Sequence, residues 1–542
     1  MKYGLGMGRG TDPAWLGARL RRVPPRELPR RALSLGTWVA DRWSGPPSTP
    51  PGPPPQWRAP WGDLARVALP SLRDQAPAGT ALDVLGPGWD TRLRWGPQRL
   101  QHHALTAAAD TDDPDTVRAA FAWMWRHPPP QGLAWSSSLE VALRLISLVW
   151  LRHRRGVHTH AWWLLRHPTT GHAARNHRVA ELAALAVAAA ALPDLPDATA
   201  WRDAAEALPD VLHNQLHRDG VGVEQSTGYL SFVLEAAHLA AQCGIAGLDA
   251  PLQRGAAFLD HLLDATGRAV SIGDDDDGRV VPSALLLGHS YSQAVVRKIR
   301  PTGSPVGSRT FAAGGLTALR HDTTLVVFDH GPLGEPHLGA HGHADCLSCW
   351  VHTADGPVIV GRGTGLYTGD PEARRFHRGT AAHPTVVVHG ADQSIAHQHP
   401  FLWRTRATPT LLATDPQRGR VSARHDGYAR FGITHTRTVT LGADGVSLTD
   451  ALDGTGHPPV EVMLPLAAGL TLADNGWVVR GDRRILRLMA DPQCRVRTIT
   501  GGPRPGPGWH SDQYGAWEPA TTVILQAEPT LPARLHTRLL LP

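Results

Sequence analysis

The feature that most constrains this chain is a change of hydrophobic period partway along it. From about residue 95, the segments RLQHHALTAAAD, DTVRAAFAWMWRH, SSLEVALRLISLVWLRH, NHRVAELAALAVAAAAL, ATAWRDAAEALPDVLHNQL, YLSFVLEAAHLAAQC and LQRGAAFLDHLLDAT repeat apolar residues three and four apart. That is the pattern of amphipathic helices. Short turns rich in Pro, Gly or Asp separate them, so they should pack as helical hairpins in an open solenoid or a closed toroid. The stretch SIGDDDDGRV closes this regime. Beyond about residue 310, TTLVVFDHG, PVIVGRG, PTVVVHG, THTRTVTLGADGVSLTD, GWVVRGDRRILRLM, CRVRTIT and TTVILQAE show β-branched alternation, with Asp444-Gly445 and Asn475-Gly476 between such runs as hairpin turns. The pattern predicts an α domain followed by a large antiparallel β-sandwich.

A chain of 542 residues is too long for a single hydrophobic core. Residues 1–60 read as an Arg-rich lead and a Pro-rich linker, 61–300 as the helical domain and 301–542 as the β domain. The linker, GPPSTPPGPPPQWRAP, must be extended rather than helical. With 54 Lys+Arg against 48 Asp+Glu and a sequence pI near 9.5, the chain suits an anionic partner. Polyanionic sugars fit that charge as well as nucleic acid does. No basic run is interleaved with aromatics, so no nucleic-acid partner is expected. The N-terminus lacks the apolar core of a secretory signal, and no stretch of about 18 apolar residues predicts a transmembrane helix. Location is left between the cytoplasm and the cell envelope or periplasm, and the oligomeric state is not legible.

Chemistry-bearing residues crowd the stretch from His337 to His389. His341, His343 and Asp345 recur at two-residue spacing and would share one face of an extended chain. Such a row can bind a metal or an anionic substrate, or can be a solvated His-rich edge. Cys346 and Cys349 form a C-x-x-C. On a strand, positions three apart face opposite sides, so the spacing favours two buried thiols over a zinc or redox pair.

Three further groups lie in the helical half. Glu140 and Arg144 are one helical turn apart, as in a surface ion pair. Asn176 and His177 open a helix with Glu181 four residues after His177, and Asn is a good helix cap. Tyr229, in EQSTGYLSF after Glu224, begins another amphipathic helix; alone, a tyrosine needs help to act as a base near neutral pH.

The order GLAWSSSLEVALR, RNHRVAEL, DGVGVEQSTGYLSF, SIGDDDDGRV, HGHADCLSCWVHTADGPVIVGRGT and RRFHRGTAAHPTVVVHG resembles the heparinase II/III family of polysaccharide lyases over about residues 90–400. The resemblance implies an incomplete N-terminal (α/α) toroid joined to a C-terminal antiparallel β-sandwich, with an acidic polysaccharide held in the cleft between them. It also implies β-elimination on a uronic acid, in which a proton leaves C5 and the C4 oxygen departs. The sugar carboxylate must be neutralised, a base must reach C5 and an acid must reach O4. By motif position, Asn176 and His177 are the neutralising pair, Tyr229 the base and also the acid, and His341 the partner from the β domain. An electropositive cleft would lower the tyrosine pKa. Arg144 and Arg378 are candidate contacts to sugar carboxylates or sulfates, since a guanidinium fork suits both. Glu140, Glu181 and Glu224, from the same motifs, complete the candidate substrate-binding set.

Family members often hold a divalent ion such as Zn, Ca or Mn through two histidines and the Asp of a V-D-x-G-T corner. His343 and His383 match, but the corner reads Val360-Gly361-Arg362-Gly363-Thr364, so Gly361 stands where the carboxylate is expected. Two histidines alone make a poor site, and the charge of Arg362 is expected to take over part of the metal's structural role. The run Asp274 to Asp277 offers a second reading as the acid and base of a glycoside hydrolase, against which stands the rule that adjacent carboxylates rarely face one bond. A non-catalytic polysaccharide-binding or exopolysaccharide assembly factor is the third reading. Heparan-type chains, alginate and bacterial exopolysaccharides all offer a uronate, and the sequence does not choose among them.

Overall fold

The computed structural model describes residues 37, 41, 46, 48–52, 135, 137–150, 152–171, 174–280, 290–301, 307–367 and 369–542. The Arg-rich lead, most of the Pro-rich linker and the first two predicted helical segments lie outside the described residues. The described residues fall into two compact units, those within 1–213, 232–250 and 279–287 and those within 214–231, 251–278 and 288–542.

The first unit is helical, with α1 (Ser138–Trp150), α2 (Arg154–Arg166), α3 (Arg175–Ala191), α4 (Ala198–Ala205) and α5 (Leu208–His213). Ala and Leu, the strongest helix formers, dominate α3, which is buried along almost its whole length and packs against α1 and α4. Its helix stops at Leu192, before Pro193. His153 caps α2, its Nδ1 accepting the Gly156 N–H at 2.9 Å. Asn176 is not a cap: the cap position is Ala174, and Asn176 lies inside the first turn of α3, buried.

Four more helices follow, α6 (Thr227–Gln242), α7 (Asp249–Leu262), α8 (Tyr291–Ile299) and α9 (Pro371–His377). The first turn of α6, with Tyr229, belongs to the second unit. Asp370 starts α9 by accepting the backbone N–H groups of Glu372 and Ala373, with proline in the first turn.

The named strands of the β-region pair antiparallel, and one isolated parallel bridge joins Gly363 to Ser511. A five-stranded meander runs β1 (Arg309–Phe311), β2 (Leu316–His321), β3 (Thr324–Asp329), β4 (Cys349–Thr353), β5 (Gly356–Ile359). After β6 (Val386–Val388) come β7 (Pro409–Asp415), β8 (Arg420–His425), β9 (Thr434–Gly442), β10 (Gly445–Asp453), β11 (Val460–Pro465), β12 (Thr471–Leu472), β13 (Trp477–Arg480), β14 (Arg483–Met489) and β15 (Arg495–Thr500). A short pair, β16 (Trp509–His510) and β17 (Glu518–Pro519), precedes β18 (Thr521–Ala527) and β19 (Ala533–Leu540). The large sheet has the order β12-β13-β14-β19-β10-β9-β8-β7, and a four-stranded sheet the order β15-β18-β11-β6. Both expected hairpins form. Gly442 pairs with Gly445 across the turn that holds Asp444, and Asn475-Gly476 joins β12 to β13.

One apolar core joins the three larger sheets. Phe328 and Val351 of the meander, Val386 and Val462 of the four-stranded sheet, and Val439, Leu448 and Leu535 of the large sheet are all buried in it. Each such side chain stabilises the fold by roughly 1.5–3 kcal/mol. This is a β-sandwich, and its inner face supports the loops that carry the site.

Candidate active site

The site grows from one carboxylate. Asp274, fully buried, receives Arg374 at 2.5 and 2.8 Å, His341 Nδ1 at 3.1 Å and His343 Nε2 at 2.8 Å. Burial opposes its charge, but Arg374 and the two imidazoles outweigh that and hold its carboxyl well below the usual range. The preceding Gly273, at φ +64°, makes the close approach possible: a Cβ there would lie 2.3 Å from the Gln225 carbonyl oxygen and 2.7 Å from that of His341.

The tautomers follow from this carboxylate. A ring nitrogen facing a carboxylate carries the proton, so His341 is protonated on Nδ1 and His343 on Nε2. His341 Nε2 takes no hydrogen bond among the described residues and is left as the basic nitrogen. Over the His341 ring lies Tyr229, centroid to centroid 3.8 Å and tilted by 24°. The Tyr229 hydroxyl donates to Asp276 at 3.2 Å and is 3.0 Å from the Tyr367 hydroxyl.

The electrostatics of this pair correct one expectation. Positive charge does not lower the Tyr229 pKa; burial first, then Asp276, Asp274 and Glu224, push it well above 10, and the Tyr367 hydrogen bond only partly offsets them. Arg374, whose guanidinium lies over the Tyr367 ring, is engaged by Asp274. Tyr229 is thus a phenol, suited to give a proton.

Other expected residues divide sharply. The loop from 341 to 348 is irregular rather than a strand, and His341 and His343 still converge, because both reach Asp274. Arg378 is not a sugar contact: its guanidinium donates to the carbonyls of His397, His399, Pro400 and Leu402 at 2.7–3.2 Å. Arg144 and Glu140 form no surface pair. They sit 3.9 Å apart in the interior of the first unit, where burial raises Glu140 to about 8 and lowers Arg144 to about 10. Glu181 is also structural, accepting the Thr169 N–H and hydroxyl and pairing with Arg178 at 3.1 Å. Glu224 is buried in the second unit. Asn176, buried, and His177, half-buried, belong to the first unit.

Nor do the acidic residues after Asp274 face one bond. The Asp275 carboxyl lies against Gly228, Asp276 accepts from Tyr229, and Asp277 accepts the Tyr514 N–H at 2.8 Å. Three contributors were missed in the sequence: Asp274 as the hub, Arg374 as its counter-ion and Tyr367 as the partner of Tyr229. Gly273 before the acidic run was the one available signal, marking where the backbone passes close to another segment.

The metal question turns on His343 and His383. His343 Nδ1 lies 3.0 Å from His383 Nε2, and His383 Nδ1 donates to the Gly379 carbonyl at 2.8 Å. Asp345 completes a buried group whose ligand atoms all lie within 4.8 Å of one another; burial raises its carboxyl to about 7. Arg362 does not substitute for an ion here. It donates instead to the Leu466 and Thr521 carbonyls and to Thr522 Oγ1, pinning the corner to β18 and the end of β11. Cys346 and Cys349 are free and buried, with thiols pushed up chiefly by burial.

The heparinase II/III-like C-terminal model matches residues 304–536 and the heparinase II/III N-terminus model residues 150–248, together more than half of the chain. No curated protein matches by sequence. Among solved structures, the chain is similar to a heparinase III at 15% identity and TM-score 0.63, covering 82% of this chain and 75% of that one. A heparinase III gene product aligns at 14% identity and TM-score 0.60, over 96% of this chain and 90% of its own. The heparan sulfate lyase of Pedobacter heparinus aligns at 15% and 0.53, over 84% and 78%. These likenesses carry the fold, a toroid-type helical region followed by a β-sandwich, and with the two matched models they establish that the chain belongs to the heparinase II/III-like family.

Proposed function

We propose that this chain is a polysaccharide lyase that cleaves a uronic-acid-containing chain by β-elimination, with His341 as the base and Tyr229 as the acid. The observation that carries this reading is the stacked pair itself: a histidine with its proton fixed on Nδ1 lies 3.8 Å from a tyrosine held protonated. His341 Nε2 takes the C5 proton. The C5–H electrons form the C4=C5 double bond as the C4–O bond breaks, and Tyr229 protonates the departing O4. The phenolate so formed regains a proton through Tyr367 or water, and the His341 imidazolium releases the C5 proton from Nε2 to water, which restores both groups. Asp274, which is buried and bonded to His341, and Arg374, which is bonded to Asp274, act as positioning residues that fix the His341 tautomer. Asn176 and His177 are the proposed neutralisers of the uronate carboxylate.

A divalent ion belongs to this proposal as a structural element beside Asp274. His343 and His383 would hold it, and it would add positive charge to a site otherwise rich in carboxylates.

Purified protein incubated with heparan-type chains, alginate and acidic exopolysaccharides tests the reading. A lyase generates the ultraviolet absorbance of a conjugated unsaturated uronate, whereas a hydrolase generates reducing ends without it. A non-catalytic binding factor would retain the polysaccharide and produce neither.

A further inference from the structure

We infer that Asp345 replaces the carboxylate missing at Gly361, so that this chain builds its cation site from His343, Asp345 and His383. The inference rests on the family assignment and on hydrogen-bond directions, not on turnover.

His383 Nδ1 faces the Gly379 carbonyl at 2.8 Å and must carry the proton there, leaving Nε2 bare. His343 Nε2 faces Asp274 at 2.8 Å and carries its proton there, leaving Nδ1 bare. The two bare nitrogens then confront each other at 3.0 Å, lone pair against lone pair. A shared proton or a shared metal ion removes that conflict, and both nitrogens could reach one ion with bonds of about 2.1 Å. A carboxylate and a backbone carbonyl behind the two imidazoles form the usual outer shell of histidine metal ligands.

The third ligand is a question of position. A Cβ on Gly361 would lie 3.5 Å from His383 Cδ2 and 3.8 Å from Trp350 Nε1, so a side chain at 361 would reach His383. Glycine offers none. Asp345 is 5% exposed, and a carboxylate oxygen of it lies within 4.8 Å of a ring nitrogen of both His343 and His383. Beside Gly361, the buried Trp350 Nε1 has no acceptor among the described residues. That N–H can hold a water or hydroxide completing the coordination in the room the glycine leaves.

The test uses the full-length protein, stripped with chelator and titrated calorimetrically with Mn²⁺ and Zn²⁺. One ion should bind per chain, and Asp345→Asn should weaken binding at least tenfold. Gly361→Asp added to Asp345→Asn should restore it. Asp345→Cys loaded with Co²⁺ provides a readout that survives if the Asn variant misfolds: a thiolate ligand at 345 gives a thiolate-to-cobalt charge-transfer band that wild type lacks. A wild-type chain that binds no ion, an Asn variant that binds as tightly as wild type, or a folded Cys variant with no band would each overturn the assignment. Because these readouts are independent of catalysis, an inactive protein that binds the ion refutes the lyase reading alone.

Discussion

Two buried clusters in the second unit use the same three residue types. At Asp274 a carboxylate meets Arg374, His341 and His343. At Asp450 it meets Arg437 at 2.7 and 3.0 Å and His435 at 2.7 Å. The second cluster is closed. Gly427 N–H donates to His425 Nδ1, His425 Nε2 is bonded to His435 Nδ1 at 3.2 Å, and Arg437 spends its remaining donor on the Leu347 and Pro384 carbonyls. The first cluster is open: His341 keeps a bare nitrogen and 11% side-chain exposure, under a tyrosine. Residue type therefore does not distinguish a site from a structural knot; what remains unbonded does. The knot also serves the site, since Arg437 ties down the loops bearing Asp345 and His383.

The largest effect that separates the two clusters is expected on turnover. Tyr229→Phe and His341→Ala should each lower the rate by about 10²–10⁴-fold, while circular dichroism and melting temperature stay near wild type. Asp450→Ala should act in the opposite way, costing about 3–5 kcal/mol by stranding the Arg437 charge. Chemical denaturation should register that loss, with the rate per folded molecule retained; a selective loss of rate would mean the knot is not merely structural. Arg378→Lys comes next, at roughly 1–3 kcal/mol, because an ammonium cannot replace the fork that reaches four carbonyls. A raised KM at unchanged stability would instead return Arg378 to the substrate-binding set.

Two pH measurements sharpen the contrast. Asp450 has its pKa depressed by Arg437 and His435 against the effect of burial. Its stabilisation is therefore present above the unfolded value of about 3.9 and is lost as pH falls through the lower folded value. Denaturant midpoints should drop on acidification less steeply in Asp450→Asn than in wild type. At the site, a Tyr229 held protonated above pH 10 should give no alkaline loss of rate from this acid below that pH. Were Tyr229 the base, the rate would instead climb tenfold per pH unit towards its pKa.

Much of the architecture was legible because it is written in local period. The switch from helical to alternating pattern, and turn pairs such as Asp444-Gly445, depend only on neighbours in sequence. Tyr229 and His341 could be named by motif order, although 112 positions separate them. What those residues touch could not be named. Asp274 read as one of four equivalent acids, and only folding directs it to Arg374, His341 and His343. Arg378 and Glu181 were read as substrate contacts because a charged side chain carries no sequence mark of being buried. The same gap explains the tyrosine: its pKa follows from burial and the carboxylates of Asp276 and Asp274, which an expectation of a positive cleft did not include.

The most direct test of the His341–Tyr229 pair is the initial rate at which conjugated-uronate absorbance appears on an acidic polysaccharide, compared between wild type and folded Tyr229→Phe. Absorbance from wild type that falls at least a hundredfold in the variant is the expected result. Equal rates in both, or no absorbance from wild type on any uronate polymer, would contradict it.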